Sequence, residues 1–277
     1  MFQSKDQTGN IINLEIYPPK RIVSLVPSQT ELLHYFGLEE EVIGITKFCV
    51  HPQTWFKNKN RVGGTKNVNI EKIKSLQPDL IIANKEENVK EQVEELQQIA
   101  PVWVSDINNY YDAIKMISSM GELVAKEKQA EKLIAEIGAA FSKLQSKNHK
   151  LQTAYLIWRN PYMTAGGDTF INDMLHKCGL QNIFENEKRY PAFTLEAIKE
   201  RGTKLILLSS EPFPFKEKHV EEIKNHFANS QFPIPKILIV DGEMFSWYGS
   251  RMLLAAQYFS ELINHIYLPA PGYSDLT

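Results

Sequence analysis

The sequence predicts an α/β fold of two similar lobes, each with a central, mostly parallel sheet, joined by one long backbone helix. Apolar strand-like runs alternate with helical patterns, which is typical of parallel sheets. One local pattern occurs twice: NIEKIK at 69–74 leads to LII at 80–82, and TLEAIK at 194–199 leads to LIL at 205–207. A nearly unbroken helical pattern at 109–147 separates the two copies. We therefore expect two lobes with a ligand cleft between them.

The first lobe is predicted over 1–124. Its strands are short apolar runs bounded by turn signals, at 21–26, 42–46, 80–83 and 102–104. Ser28 and Glu31 have the spacing of a capping box, which predicts a helix that has Ser28 as its N-cap and stops at Gly37. The helical stretch that follows predicts two helices, the second long, so we expect a connecting helix over 125–150.

The second lobe, predicted over 151–277, repeats this alternation. Strands are expected at 153–158, 204–209 and 236–240, and helices at 168–177, 216–227 and 249–267. No low-complexity tract interrupts the pattern. The order of elements again favours a parallel sheet.

Composition excludes several classes of function. The 277 residues are 43% hydrophobic and 23% charged, as in ordinary globular proteins, and the net charge of -2 provides no basic face for nucleic acid. The first 20 residues lack the apolar run of a secretory signal. No window reaches the roughly 18 apolar residues of a membrane span, so we expect no membrane insertion.

Aromatic residues are concentrated in loops after predicted strands, where α/β proteins place their ligands. They are Phe48, Trp158, Tyr162, Tyr190, Phe245 and Trp247. Flat rings suit a large, partly apolar, planar ligand. The neighbouring arginines, Arg159, Arg189 and Arg251, could hold its carboxylates or amides. The alternative reading of these rings is core packing.

Two acids, Glu71 and Glu196, occupy the same place in the repeated pattern, about two residues past the helix caps Asn69 and Thr194. An acid there can simply complement the helix dipole. Matched exposed acids could instead bind paired arginines of a two-fold symmetric partner. Both interpretations stay open on these residues alone.

Metal and catalytic signals are weak. The fragments Cys49–His51 and His176–Cys178 each supply two soft ligands, whereas a structural zinc site needs four, so no metal site is predicted. His51 could reach an axial position on a bound iron or cobalt centre. The turn at 165–168 could bind an anion through free N–H groups. The sequence has neither G-x-S-x-G nor H-E-x-x-H, and no catalytic residue is assigned.

Several segments together resemble the substrate-binding proteins of bacterial ABC importers for ferric siderophores, haem and vitamin B12. These are RIVSLVPSQTEL at 21–32, RVGG at 61–64, the segment from 69 to 83, and RMLLAA at 251–256. The resemblance runs from about residue 20 to residue 267 and is strongest to the vitamin B12-binding branch. It implies a chelatase-like fold of class III periplasmic binding proteins, with ligand held between the lobes and no catalysis.

What the resemblance implies for single residues depends on matched positions. One glutamate on each lobe docks to arginine pockets of the permease in this family, and Glu71 and Glu196 match them in context. Phe48 and Tyr190 fall where the B12-binding branch uses aromatic residues, and Trp158 or Tyr162 covers a third position. Thr65 and Asn84 stand where that branch carries tryptophan, which leaves a siderophore or haem open as ligand.

The resulting hypothesis is a solute-binding protein that captures a cobalt or iron chelate, first a corrinoid, for an ABC permease. It would work in the periplasm or at the cell surface, although without an export signal a cytoplasmic location is also open. A ferric siderophore or haem receptor is the rival binding function. The rival of another class is an intracellular corrinoid- or tetrapyrrole-handling enzyme that would use Asp241, Glu243 and His51.

Overall fold

The computed structural model describes residues 2–144 and 150–267. It divides into two compact units, the first formed by residues up to 137 together with 247–252, and the second by 138–246 and the residues from 253 onwards. The chain passes from the first unit to the second within a helix, Glu127–Ser142. Part of the predicted connector, 145–149, and the end of the predicted second lobe, 268–277, lie outside the described residues.

From residue 2 onwards, where the structure describes the chain, the first unit contains seven strands and the helices between them. The strands are β1 Phe2–Lys5, β2 Ile11–Leu14, β3 Ile22–Ser24, β4 Val42–Ile45, β5 Asn60–Arg61, β6 Leu80–Asn84 and β7 Val102–Ser105. The helices are α1 Pro27–Tyr35, α2 Gln53–Asn58, α3 Ile70–Ser75, α4 Lys90–Leu96, α5 Tyr110–Leu123 and α6 Glu127–Ser142, the last of which crosses into the second unit.

The sheet of the first unit is parallel throughout, in the order β5-β4-β3-β6-β7. Strand β6, which lies between β3 and β7, is buried along its whole length, which explains why the sequence reads as a continuous apolar run rather than an alternating one. One core cluster packs against it, including Val23, Ile73, Ile81 and Val102. Strands β1 and β2 form a separate antiparallel hairpin.

Six strands belong to the second unit within the described residues. They are β8 Leu151–Trp158, β9 Tyr162–Thr164, β10 Leu180–Asn182, β11 Ala192–Phe193, β12 Leu205–Ser209 and β13 Lys236–Val240. Its remaining helices are α7 Phe170–Lys177, α8 Leu195–Glu200, α9 Glu217–Ala228, α10 Gly242–Ser246 and α11 Met252–Tyr267, of which Met252 belongs to the first unit.

The sheet of the second unit is parallel where β8, β10, β12 and β13 pair. Strand β9 folds back antiparallel to β8, and β11 pairs antiparallel with β9. The core includes Leu156, Ile198, Ile206 and Phe227. The predicted fold class, two α/β units with mostly parallel sheets joined through a long helix, is therefore confirmed.

The repeated sequence pattern forms the same local structure twice. Asn69 caps α3 by accepting a hydrogen bond from the backbone N–H of Lys72, and Thr194 caps α8 by accepting one from that of Ala197. Each helix leads to a fully buried strand, β6 or β12. Short-range cap chemistry explains why these elements could be predicted from sequence.

The predicted capping box of α1 is wrong. The N-cap lies two residues earlier, at Val26, which has no side-chain cap, and the helix begins at Pro27. Proline favours the first helical position because it has no N–H to satisfy there. Glu31 is directed instead to an ion pair with Arg251.

Candidate functional site

The carboxyl ends of the parallel strands in the first unit lie at one edge of the sheet, and four predicted site residues belong to this edge. Phe48 and His51 follow β4, Thr65 follows β5, and Asn84 is the last residue of β6. Ligands of open α/β sheets bind outside the carboxyl ends of the strands. We call these four residues the first-unit edge.

Phe48 presents the largest apolar surface of the first-unit edge, because half of it (50%) is exposed. Its backbone N–H donates to Thr46 Oγ1 at 3.3 Å, and the Nζ of Lys47 lies 5.1 Å from the ring centroid. A Cβ on Gly64 would lie 3.2 Å from Phe48 Cε2, so glycine leaves room for the ring. The result is a flat ring with a cation beside it. The sequence analysis missed Lys47, because it considered only arginines as cations beside the aromatic rings.

Asn84 and Thr65 contribute to the edge through loop structure. Asn84 is nearly buried, its Nδ2 donates to Ser105 Oγ at 3.0 Å, and its Oδ1 accepts from the backbone N–H groups of Glu86 and Glu87. The carbonyl of Thr65 accepts from Asn88 Nδ2 at 3.0 Å. Both residues therefore shape the 84–88 loop. Their contact with ligand stays a prediction.

The segment Trp247–Met252 belongs to the first unit although it follows strands of the second. Trp247 meets the His51 ring edge-on at 5.5 Å between centroids, and Tyr248 Oη donates to Glu87 Oε1 at 3.2 Å. Arg251 is 6% exposed and forms a two-pronged ion pair with Glu31 at 2.9 and 2.7 Å. The guanidinium predicted to hold ligand carboxylates is thus engaged by a carboxylate of the protein itself.

The Cys49 thiol lies beneath the first-unit edge and is completely buried. Its Sγ accepts a hydrogen bond from Thr30 Oγ1 at 3.1 Å and contacts Thr46 Oγ1 at 3.1 Å. Burial raises its pKa to about 11. A protonated thiol is a poor metal ligand, and the parts of the chain that are described contain no group of three or more His, Cys, Asp or Glu side chains suited to a metal ion.

We predict that Cys49 does not react with a thiol reagent at pH 8 in the folded protein. Folding raises the thiol pKa from 9.0 to about 11. The buried, protonated thiol therefore makes its full contribution to the free energy of unfolding below pH 9. This contribution is lost as the pH rises through 11, by up to about 3 kcal/mol. Burial also raises the pKa of Cys178. Titration with Ellman's reagent should detect both thiols only after denaturation; fast reaction of the native protein would contradict this.

In the second unit, Trp158 ends β8 and is 40% exposed. Its ring packs edge-on against Phe213 at 5.8 Å, and its neighbour Arg159 forms a two-pronged pair with Glu222 at 2.8 and 2.7 Å. Tyr162 Oη donates to the same carboxylate at 3.1 Å. Hydrogen bonds from Arg159 lower the pKa of the Glu222 carboxyl, which keeps it ionised. Phe213 and Glu222 were missed because they lie more than 50 residues away in sequence.

Phe245 does not fit a ligand-lining role, because it is completely buried. Its ring packs between Tyr155, at 5.0 Å, and Phe259, at 4.8 Å. A short helix, α10, forms where a loop was expected, and it directs this ring into the core. The core-packing alternative holds for Phe245.

Tyr190 belongs to another part of the second unit, beside the glycine turn. The backbone N–H of Gly166 donates to the Arg189 carbonyl at 2.7 Å, and that of Gly167 to the Glu187 carbonyl at 2.9 Å. The two amides predicted to bind an anion are therefore occupied by backbone. The Arg189 guanidinium lies over the Tyr190 ring at 5.7 Å, and the backbone N–H of Arg189 donates to Asp168 Oδ1 at 2.6 Å.

Glu71 and Glu196 are exposed at the second residue of α3 and α8. Glu71 borders a surface groove of about 510 Å³ that is also lined by Ile70, Pro78 and Ile99. Glu196 lies 2.8 Å from His226 Nε2. Its own backbone N–H lowers the pKa of the Glu196 carboxyl, and His226 adds to this effect.

The rival acids Asp241 and Glu243 form a turn: the backbone N–H of Glu243 donates to Asp241 Oδ1 at 3.0 Å. This is turn chemistry of the Asx type, which satisfies the backbone at the start of α10. Tyr258 Oη accepts a hydrogen bond from the Asp241 N–H at 3.0 Å. The pair contributes structure to the second unit.

Two exposed rings, Phe48 and Trp158, thus lie at strand ends of a duplicated α/β scaffold. The chain belongs to the periplasmic binding protein family, whose model matches residues 22–233. Its relatives are substrate-binding proteins, so the expectation of a non-enzyme is confirmed. Within 2–144 and 150–267, no helix has both the length and the apolar character needed to cross a membrane.

Two relatives cover most of the chain. The uncharacterized ABC transporter substrate-binding lipoprotein YvrC of Bacillus subtilis is 28% identical over 257 residues, 88% of this chain and 80% of its own. The vitamin B12-binding protein of Pectobacterium carotovorum is 24% identical over 275 residues, 96% of each chain. Both are described as solute-binding proteins, but only the description of the second names a ligand.

Solved structures give the same fold. A possible iron-binding, periplasmic solute-binding protein from Staphylococcus epidermidis has a TM-score of 0.75 at 25% identity, covering 90% of this chain and 99% of the other. The periplasmic haem-binding protein RhuT from Roseiflexus sp. RS-1 has a TM-score of 0.76 at 18% identity, with 90% and 98% covered. Both solved structures therefore share the fold of this chain.

Proposed function

We propose that the protein captures a metal chelate, first a corrinoid such as cobalamin, and delivers it to the permease of an ABC importer outside the cytoplasmic membrane. Family membership and the vitamin B12-binding relatives support this class of solute. The ligand is cargo, and no resident cofactor is needed. Relatives described as a lipoprotein and as periplasmic proteins support the location.

The observation that carries the proposal is the exposure of Phe48 and Trp158 at strand ends, one in each unit. Phe48 is 50% and Trp158 40% exposed, although Lys47 lies beside the first ring and Phe213 packs against the second. Leaving large apolar surface in water costs about 25 cal/mol per Å², which a flat ligand would recover on binding. A corrin or porphyrin ring offers a flat surface of this kind.

His51 is the candidate for contact with the metal of the chelate. It is partly exposed on the first-unit edge, three residues from Phe48, and Trp247 packs against its ring. A neutral imidazole is a common ligand of cobalt and iron. The buried thiol of Cys49 is unsuited to that role because it stays protonated.

An iron chelate is the second candidate, and Tyr190 favours it. A tyrosine oxygen can ligate iron, and Arg189 lies beside this ring, where it could bind carboxylates of haem or a siderophore. In this alternative, Tyr190 and Arg189 would dominate affinity, and Phe48 would contribute less.

Titration of the purified protein with cobalamin, haem and a ferric siderophore tests the proposal. We expect saturable cobalamin binding, followed by its visible spectrum and by tryptophan fluorescence, without turnover. Preference for an iron chelate would shift the proposal to the second candidate, and conversion of any of the three would contradict both.

Phe48→Ala and Trp158→Ala should each weaken cobalamin binding about tenfold or more, because each removes a stacked ring and the apolar area it covers. The matched control is Tyr111→Ala, which removes an aromatic ring that is 69% exposed on α5. Isothermal titration should show no change for the control. An equal loss of cobalamin affinity in all three variants would mean that exposed rings bind the ligand non-specifically.

A further inference from the structure

The segment Trp247–Met252, which we call the strap, is held in the first unit although the residues on both sides belong to the second. Its contacts reach three parts of the carboxyl edge: α1 through Arg251, the loop after β4 through Trp247, and the loop after β6 through Tyr248. These loops carry the first-unit edge. The strap is therefore placed to determine how that edge is held.

Arg251 anchors the strap to α1. Its Nε donates to Glu31 Oε2 at 2.9 Å and its Nη2 to Oε1 at 2.7 Å, with only 7% and 19% of the two side chains exposed. A two-pronged pair has one favoured geometry. Removing one buried partner leaves the other charge uncompensated, so such a pair resists displacement.

Arg251 also fixes Trp247. The guanidinium carbon lies 5.0 Å from the centre of the Trp247 ring, and the ring then meets His51 at 5.5 Å and an interplanar angle of 73°. The indole is only 7% exposed. A continuous series of contacts therefore connects Glu31 to the His51 imidazole through Arg251 and Trp247.

We propose that Arg251 is a positioning residue: with Glu31, it holds Trp247 against His51 and so orients the imidazole for the metal of the bound chelate. This rests on the proposed function in assigning His51 to the chelate. Arg251 itself makes no contact with ligand in this arrangement. Lysine cannot replace it, because an ammonium lacks the planar fork that binds both oxygens of Glu31 and faces the indole.

The first test uses the ligand-free protein, so that it does not depend on the proposed function. The His51 ring protons, assigned by comparison with His51→Gln, should show in NMR a ring-current displacement caused by Trp247. Arg251→Lys and Glu31→Gln should both reduce this displacement to less than half. Unchanged His51 signals in both variants would overturn the proposal.

The second test is cobalamin affinity and the visible spectrum of the bound chelate, which reports the axial ligand of cobalt. We expect Arg251→Lys to lower affinity about tenfold and to move the spectrum toward that of His51→Gln. Displaced His51 signals with wild-type affinity and spectrum would overturn the positioning role. If the wild type binds none of the chelates, the proposed function fails, whereas the NMR result still decides whether Arg251 positions His51.

Arg201→Met is the matched control. Arg201 pairs with Glu187 at 3.2 Å and lies 4.3 Å from the centre of the Phe184 ring, so it makes the same two kinds of contact in the second unit. It should leave the His51 signals and the spectrum unchanged. Thermal unfolding of every variant identifies any that is not folded, and Glu31→Gln, which preserves side-chain shape, then provides the decisive comparison.

Discussion

Alanine at both Glu71 and Glu196 is expected to abolish delivery to the permease while leaving chelate affinity unchanged. Both acids are exposed, and the caps of their helices, Asn69 and Thr194, are untouched by the change. Each helix loses only the favourable interaction of one exposed acid with the helix dipole. If the two acids dock to arginines of the permease, as the family resemblance implies, each of those arginines would lose its partner.

Two such losses should slow uptake about 100-fold or more in a reconstituted importer, with a dissociation constant for cobalamin within about twofold of the wild type. The control is Glu91→Ala with Glu217→Ala, since these are first-turn acids of α4 and α9, one in each unit. Collapse of chelate affinity in the Glu71/Glu196 variant would assign these acids to the ligand site. Undiminished uptake would remove the docking role.

Gly167→Ala is expected to destabilise the second unit more than any other substitution described above. An added Cβ would lie 1.9 Å from the carbonyl oxygen of Glu185 and 2.8 Å from its carbonyl carbon, both of which are backbone atoms. The turn can accept the methyl group only by displacing the 185–189 segment that leads to Tyr190. Because overpacking costs about 1–3 kcal/mol even where side chains can move, we expect at least about 3 kcal/mol here.

Urea denaturation followed by near-UV circular dichroism measures this effect. The control is Gly202→Ala, where φ is +67° and no atom lies within 4 Å of the new Cβ, so only the left-handed backbone cost of about 1–2 kcal/mol applies. If Gly167→Ala is no less stable than Gly202→Ala, displacing the 185–189 segment costs less free energy than its hydrogen bonds indicate.

The fold could be predicted from the sequence because its signals are local. The caps Asn69 and Thr194 lie within three residues of the N–H groups they bind, and the strands β6 and β12 are uninterrupted apolar runs. The two helices predicted at 109–147 appear as α5 and α6 in the described residues. The start of α1 was misplaced, since Pro27 outcompetes Ser28, and α10 formed where a loop was expected.

The candidate site was less predictable, because the same residue types occur in the core and in binding loops. Phe245 and Trp158 both follow strands, yet one is completely buried and the other 40% exposed. Nothing within a few residues of either distinguishes them. Their surroundings depend on partners from distant parts of the chain, Tyr155 for Phe245 and Phe213 for Trp158.

The sequence alone determined the duplicated α/β scaffold and the equivalent positions of Glu71 and Glu196, since caps and periodicity act over a few residues. Only the tertiary structure decided that Arg251 is bound by Glu31, 220 residues away, and that the amides of Gly166 and Gly167 are occupied. Charge and hydrogen-bonding capacity are visible in a sequence, but the group that satisfies them is selected by packing. For this reason, we assign Arg251, which the sequence predicted to hold the ligand, to the positioning of Trp247 and His51.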